Sequence, residues 1–120
     1  MTSFDELVGL LARLRKECPW DREQTFDTYK EPLLNEAREA TDALEKKDFN
    51  NLRDELGDVL WNVIFIARLA EDEGKFSIND VMDSAKAKMI RRHPHVFSDK
   101  KLNSPEEVLK SWNEIKEKGG

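Results

Sequence analysis

Cysteine occurs once in the 120 residues, at Cys18, so no intrachain disulfide can staple the chain and packing alone must hold the fold. With no signal-like apolar segment at the N-terminus, the expected compartment is a reducing cytoplasm. Long apolar runs are also missing. The longest, Val59 to Ala70, contains Asn62 and Arg68 and falls short of the ~20 apolar residues a bilayer span needs, so no membrane partner is expected. Positive charge is in deficit, with 20 basic against 25 acidic residues and a formal net charge of -5, which argues against nucleic acid as a partner. Histidine is limited to His93 and His95, which flank Pro94 without a nearby Cys or acid at ligand spacing, so a zinc site is not expected. Gly-rich phosphate loops, Ser/His/Asp arrangements, repeats and low-complexity tracts are absent too.

What remains is helical periodicity. Apolar spacing predicts a first helix over Phe4 to Glu17, ended by Cys18-Pro19-Trp20-Asp21 as a loop with an exposed Trp20. A second helix is expected from near Thr25 or Asp27 to Lys46, interrupted or bent by Pro32, with Leu33, Leu34, Ala37, Ala40, Thr41 and Leu44 facing inward. The third and longest runs from about Asn51 to Glu73 and stops at Gly74; its short link to the second makes the two antiparallel neighbours. A capping box at Ser77 opens a fourth helix to Arg92, with Ile78, Val81, Met82, Ala85, Met89 and Ile90 inward. His93 to Phe97 reads as an extended exit. Ser104-Pro105 starts a fifth helix through Ile115, followed by a frayed Lys116 to Gly120. The expected fold class is therefore all-α, a single-domain bundle of about five helices spanning residues 1–120. Val59 to Ala67 is apolar around almost its whole circumference, which predicts that dimerisation, or a dimer of dimers, completes the core.

Two carboxylate pairs stand out, Glu36 with Glu39 and Glu55 with Asp58. In each, a spacing of three puts both acids on one face of a helix, one turn apart. If the helices are antiparallel the four can converge as a divalent metal site; the competing reading is two solvated acidic faces. Asn62 lies on the same face as Glu55 and Asp58, either bonded within an interface or lining a pocket beside the acids. Lys88, Arg91 and Arg92 crowd the end of the fourth helix, where they either complement the helix dipole or clamp phosphate.

The combination of Cys18-Pro19-Trp20-Asp21 with Gln24-Thr25, Leu33-Leu34-Asn35-Glu36-Ala37-Arg38-Glu39, Asp54-Glu55-Leu56-Gly57-Asp58 and Arg91-Arg92-His93-Pro94-His95-Val96-Phe97 resembles the MazG family of nucleoside triphosphate pyrophosphohydrolases, in the all-α NTP pyrophosphatase group. The resemblance implies Mg2+-dependent hydrolysis of NTP or dNTP between the α and β phosphates, giving monophosphate and pyrophosphate. It implies Glu36, Glu39, Glu55 and Asp58 as metal ligands. One departure is Asn35, where the family usually has the first Glu of a Glu-Glu pair. Another is the single domain where many relatives carry two, which makes self-association the expected substitute.

Physical chemistry agrees with those implications. Four oxygen donors with no His or Cys suit Mg2+, or Mn2+ in its place. Glu36 or Glu39 is the candidate to accept a proton from the attacking water. Lys88, Arg91 and Arg92, with Lys88 and Arg92 preferred by the resemblance, are candidates to offset charge on the leaving pyrophosphate. Trp20 and Trp112 are candidates to stack on the base, against a packing role for each. A di-iron site lacks the Glu-x-x-His pairs it needs. The remaining alternative is a non-catalytic helical module that keeps the fold, binding nucleotides or protein, with Asn35 marking lost chemistry.

Overall fold

A computed structural model describes residues 2–120; these are largely helical, with no strand among them. The elements are α1 (Ser3–Glu17), α2 (Pro19–Glu23), a 3-10 turn (Asp27–Tyr29), α3 (Lys30–Lys46), α4 (Phe49–Asp72), α5 (Ile78–Arg91), α6 (Pro94–Phe97) and α7 (Pro105–Glu117). They form two compact units that divide between Ile78 and Asn79.

In the first unit, α1 opens on a capping box: the Thr2 hydroxyl accepts from the Asp5 amide at 3.1 Å and the Asp5 carboxylate accepts from the Thr2 amide at 3.4 Å. Pro19 ends α1 but does not yield the expected loop. It occupies the first position of α2, where a helix has no use for the missing N–H. The expected bend at Pro32 is also absent, for the same reason. Pro32 lies in the first turn of α3, which continues unbroken to Lys46. Lys47 then takes a left-handed conformation (φ 53°), and Asp48 caps α4 by accepting from the Asn51 amide at 3.4 Å. So short a link turns α4 back antiparallel along α3.

The core of this unit is Leu11, Tyr29, Ile64, Phe65 and Leu69, flanked by Phe4, Leu7, Val8, Trp61, Ile66 and Ile78. Phe65, fully buried, stacks on Tyr29 with ring centroids 4.1 Å apart. Burial on α3 falls to Ala40 and Ala43. Leu34 and Leu44, expected inside, are exposed. The circumferentially apolar part of α4 is covered on one side only: Ile64, Phe65 and Ala67 are buried, whereas Leu56, Leu60 and Val63, at successive turns, remain exposed.

The second unit, Asn79–Gly120, departs furthest from expectation. No residue of α5 is buried, and the expected inward Met82, Met89 and Ile90 are exposed. Residues 94–97 form a helical turn instead of an extended exit, since Pro94 again sits at a first helical position; the Ser98 hydroxyl donates to the Pro94 carbonyl at 2.7 Å. Ser104 caps α7 as expected, its hydroxyl accepting from the Glu107 amide at 3.2 Å. The C-terminal residues are not frayed. Gly119 (φ 86°) reverses the chain, and the Gly120 amide donates to the Ile115 carbonyl at 2.9 Å. Among the described residues seven helices thus replace the expected five, because Pro19, read as a breaker, and Pro94, read as part of an extended exit, each begin a short helix.

Candidate functional site

Antiparallel packing of α3 on α4 brings Glu36, Glu39, Glu55 and Asp58 together. Each offers one carboxylate oxygen, and the four atoms all lie within 4.8 Å of one another. Glu36 and Glu55 are half-buried, while Glu39 and Asp58 are exposed. No cationic side chain forms an ion pair with any of them among the described residues. The electrostatic consequence is that Glu36 and Glu55 hold a proton more tightly than a free carboxylate does. Glu36 is held above the usual carboxylate range by desolvation first, then by the charges of Glu39 and Asp58 and hydrogen bonds with both. Glu55 is pushed up to about 7, first by a hydrogen bond with Glu39, then by desolvation and the neighbouring carboxylates.

Glu36 Oε2 and Glu55 Oε2 are each buried with no hydrogen-bond partner outside the carboxylate cluster. Buried carboxylate oxygens require a donor or a cation. Four oxygen donors and two orphaned buried oxygens in so small a volume fit a hard divalent ion, which accepts oxygen ligands and tolerates several carboxylates. The solvated-face reading does not account for convergence across two helices.

One turn beyond Asp58 lies Asn62, which is buried; its amide nitrogen donates to the Asp58 carbonyl at 2.8 Å and its Oδ1 has no partner. Trp20, on α2, is 58% exposed, and it stands 6.4 Å from Tyr29 between ring centroids. Tyr29 immediately precedes α3, and seven residues of helix put Glu36 about 10 Å further along. In the second unit, Lys88 and Arg91 are exposed. Arg92 is engaged, donating through Nε and Nη2 to the Gly120 carbonyl at 3.0 and 2.8 Å, with its guanidinium 5.1 Å from the Trp112 ring centre. Trp112 is half-buried against the edge of His93 and lines an open, apolar groove of about 480 Å³ with Leu102, Pro105, Val108 and Leu109.

Sequence reasoning did not single out Arg15 or Tyr29 and quoted Asp21 only as part of a motif; Tyr29 and Asp21 are buried, and Arg15 donates to the Asp21 carbonyl and lies against Phe65. Tyr29 is pushed up to about 12, chiefly by burial and then by the charge of Asp21. A signal was available for Arg15, a cation next to Leu14 on the apolar side of α1.

Fold and site together define an all-helical protein whose central antiparallel helix pair carries a four-carboxylate cluster suited to a divalent cation. The MazG nucleotide pyrophosphohydrolase domain matches residues 24–97, more than half of the chain. The chain belongs to that family. It is 44% identical over 119 residues to a nucleoside triphosphate pyrophosphohydrolase of Escherichia coli K12, covering 97% of this chain and 45% of that protein. It is 43% identical over 120 residues to the nucleoside triphosphate pyrophosphohydrolase/pyrophosphatase MazG of Thermotoga maritima, with coverage of 97% and 46%. The chain thus spans about half the length of these curated relatives. A crystal structure of a MazG-related protein from Thermotoga maritima superposes with a TM-score of 0.77 at 29% identity, covering 94% of this chain and 98% of that one.

Proposed function

We propose that this chain hydrolyses nucleoside triphosphates, NTP or dNTP, to a monophosphate and pyrophosphate, in control or cleansing of the nucleotide pool. The observation that carries the reading is the convergence of four carboxylates from α3 and α4 within 4.8 Å. In this reading water adds to the α phosphorus and the bond to the α–β bridging oxygen breaks, so that the two terminal phosphates leave together. Glu36, Glu39, Glu55 and Asp58 hold Mg2+, with Mn2+ as a substitute. The bound cation supplies charge neutralisation of the polyphosphate and a lowered pKa for water.

The chain's own residues do the remaining work. Glu36 or Glu39 accepts the proton released by water. Lys88, Arg91 and Arg92 provide donors for phosphate oxygens, Arg92 by exchanging the Gly120 carbonyl for substrate. Trp20, and Trp112 in the second unit, offer ring faces to the base. Asn62 stands beside the cluster with an acceptor to spare. The exposed Leu56, Leu60 and Val63 on α4 support burial against a second copy of the chain; sedimentation at micromolar concentration is expected to give a dimer or tetramer, and a monomer removes that part of the proposal.

Purified protein incubated with each NTP and dNTP plus Mg2+ is expected to release pyrophosphate and the matching monophosphate from at least one of them. Release of orthophosphate would instead place the cleavage at another bond. A lack of turnover with every nucleotide would favour the rival reading, a non-catalytic helical module, which draws its support from Asn35 beside the cluster.

A further inference from the structure

Arg15 is the most heavily hydrogen-bonded side chain among the described residues of the first unit, and none of the acid-cluster chemistry uses it. Only 15% of its side chain is exposed. One end of its guanidinium, Nη1, donates to the backbone carbonyls of Asp21, Arg22 and Gln24, the last two at 3.2 and 3.3 Å. These carbonyls lie at the C-terminal end of α2, where a cation is favoured; the Asp21 carbonyl also accepts from the Gln24 amide at 3.4 Å. The other end, Nε and Nη2, donates to Asp72 Oδ2 at 3.3 and 3.0 Å, at the last residue of α4. Asp72 is fixed in turn by Arg68, whose Nε donates to Oδ1 at 3.1 Å. The flat of the guanidinium lies 5.8 Å from the centre of the Phe65 ring, which stacks on Tyr29, the neighbour of Trp20. One side chain therefore ties α1, the far end of α4 and the five-residue helix that carries Trp20.

Such a short helix cannot hold itself in water, where isolated helices under ~12 residues are marginal. Its orientation must be imposed from outside. Trp20 is too exposed for its own burial to do that, whereas Arg15 reaches three of its segment's carbonyls from a buried position. A lysine could replace the charge opposite Asp72, but as a single ammonium it cannot reach both Asp72 and three carbonyls in a plane.

We propose that Arg15 is a positioning residue for substrate binding: it locks α2 so that the Trp20 ring stands ready, beside Tyr29, to take the base of a nucleotide whose phosphates lie at the cluster. The inference rests on the pyrophosphohydrolase reading above. Arg15 touches neither substrate nor the reacting atoms in this scheme; its effect passes through Trp20. A ring already in place saves the ordering cost that a mobile tryptophan incurs on binding, a cost that falls on affinity and not on the chemical step.

The test is a kinetic double-mutant cycle with Arg15→Lys and Trp20→Ala, using the best nucleotide from the panel and Mg2+. Each single change is expected to raise KM about tenfold with kcat within twofold. In the Trp20→Ala background, Arg15→Lys is expected to add less than a further twofold. A KM rise of equal size in both backgrounds overturns the proposal, as does a loss of kcat with KM unchanged, or a folded Arg15→Lys protein with parental KM. Asp72→Asn, which weakens the same lock at nearly constant volume, is carried through the same cycle and decides the matter if Arg15→Lys does not fold. Failure of the parent chain to turn over any nucleotide overturns both readings; turnover with an uncoupled cycle overturns this one alone.

Discussion

Glu39→Gln and Asp58→Asn are each expected to lower kcat/KM for the preferred nucleotide roughly 10³-fold or more, with the helical circular dichroism of the parent retained. Both residues are exposed members of the carboxylate cluster, so an isosteric amide leaves no cavity and strands no buried charge. What each substitution removes is one anionic oxygen donor out of four. Metal-assisted stabilisation of a reacting phosphate amounts to several kcal/mol, and each 1.36 kcal/mol lost is a tenfold drop in rate. Metal-free stability is expected to move the other way. Glu39 is the first cause of the raised pKa of Glu55, through a hydrogen bond and then through its charge, so Glu39→Gln relieves repulsion and raises the melting temperature of the metal-free protein. Parental activity in either variant would remove that residue from the proposed metal site. A melting temperature lowered by several degrees would show that the carboxylate is structural.

The second large effect is a coupling of stability to pH and metal. Glu36 and Glu55 both hold protons more tightly in the folded chain than the ordinary value of 4.5 implies, Glu55 up to about 7. A folded-state pKa raised above the unfolded one means that the folded protein binds more protons between those limits. The contribution of Glu55 to stability is therefore complete below about pH 4.5 and is lost as pH rises through about 7, and that of Glu36 is likewise lost as pH rises above its ordinary value. In chelator the melting temperature is expected to fall from pH 5 to pH 8, and Glu55→Gln to flatten that slope, which separates the cluster from carboxylates elsewhere. Mg2+ requires the deprotonated ligands. At a hundredfold excess over its dissociation constant it is expected to stabilise by about 2.7 kcal/mol, on the order of 10 °C for a chain this size, at pH 8 and far less at pH 5. Calorimetry at both pH values, with and without metal, measures this. Equal metal shifts at pH 5 and pH 8 would contradict the assignment of the two raised carboxylates as ligands.

Much of this site was legible because its grammar is local. A spacing of three on a helix fixes that Glu36 and Glu39 share a face, and likewise Glu55 and Asp58. The short link through Lys47 and Asp48 forces the two helices antiparallel, and together these facts bring four acids into one volume. The prolines misled because a proline's effect depends on its place in a helix. Pro19, Pro32 and Pro94 all fall in first turns, where the missing donor is harmless, and sequence spacing alone does not distinguish that from a break. The α5 stripe misled differently. Periodicity specifies which side of a helix is apolar but not whether anything in the chain covers it, and Met82, Met89 and Ile90 stay exposed.

By itself, then, the sequence determined the all-helical class, the antiparallel central pair and the shared face of each carboxylate pair, all consequences of interactions between residues at most a few turns apart. Only the tertiary structure decided that the four carboxylate oxygens meet within 4.8 Å, that Glu55 is driven up to about 7 by Glu39, and that Arg15 joins α1 to α2 and α4 through Asp72, fifty-seven residues away. The physical reason is the reach of the forces involved: helix geometry is set by neighbours along the chain, whereas desolvation, charge coupling and a buried guanidinium's partners are set by neighbours in space.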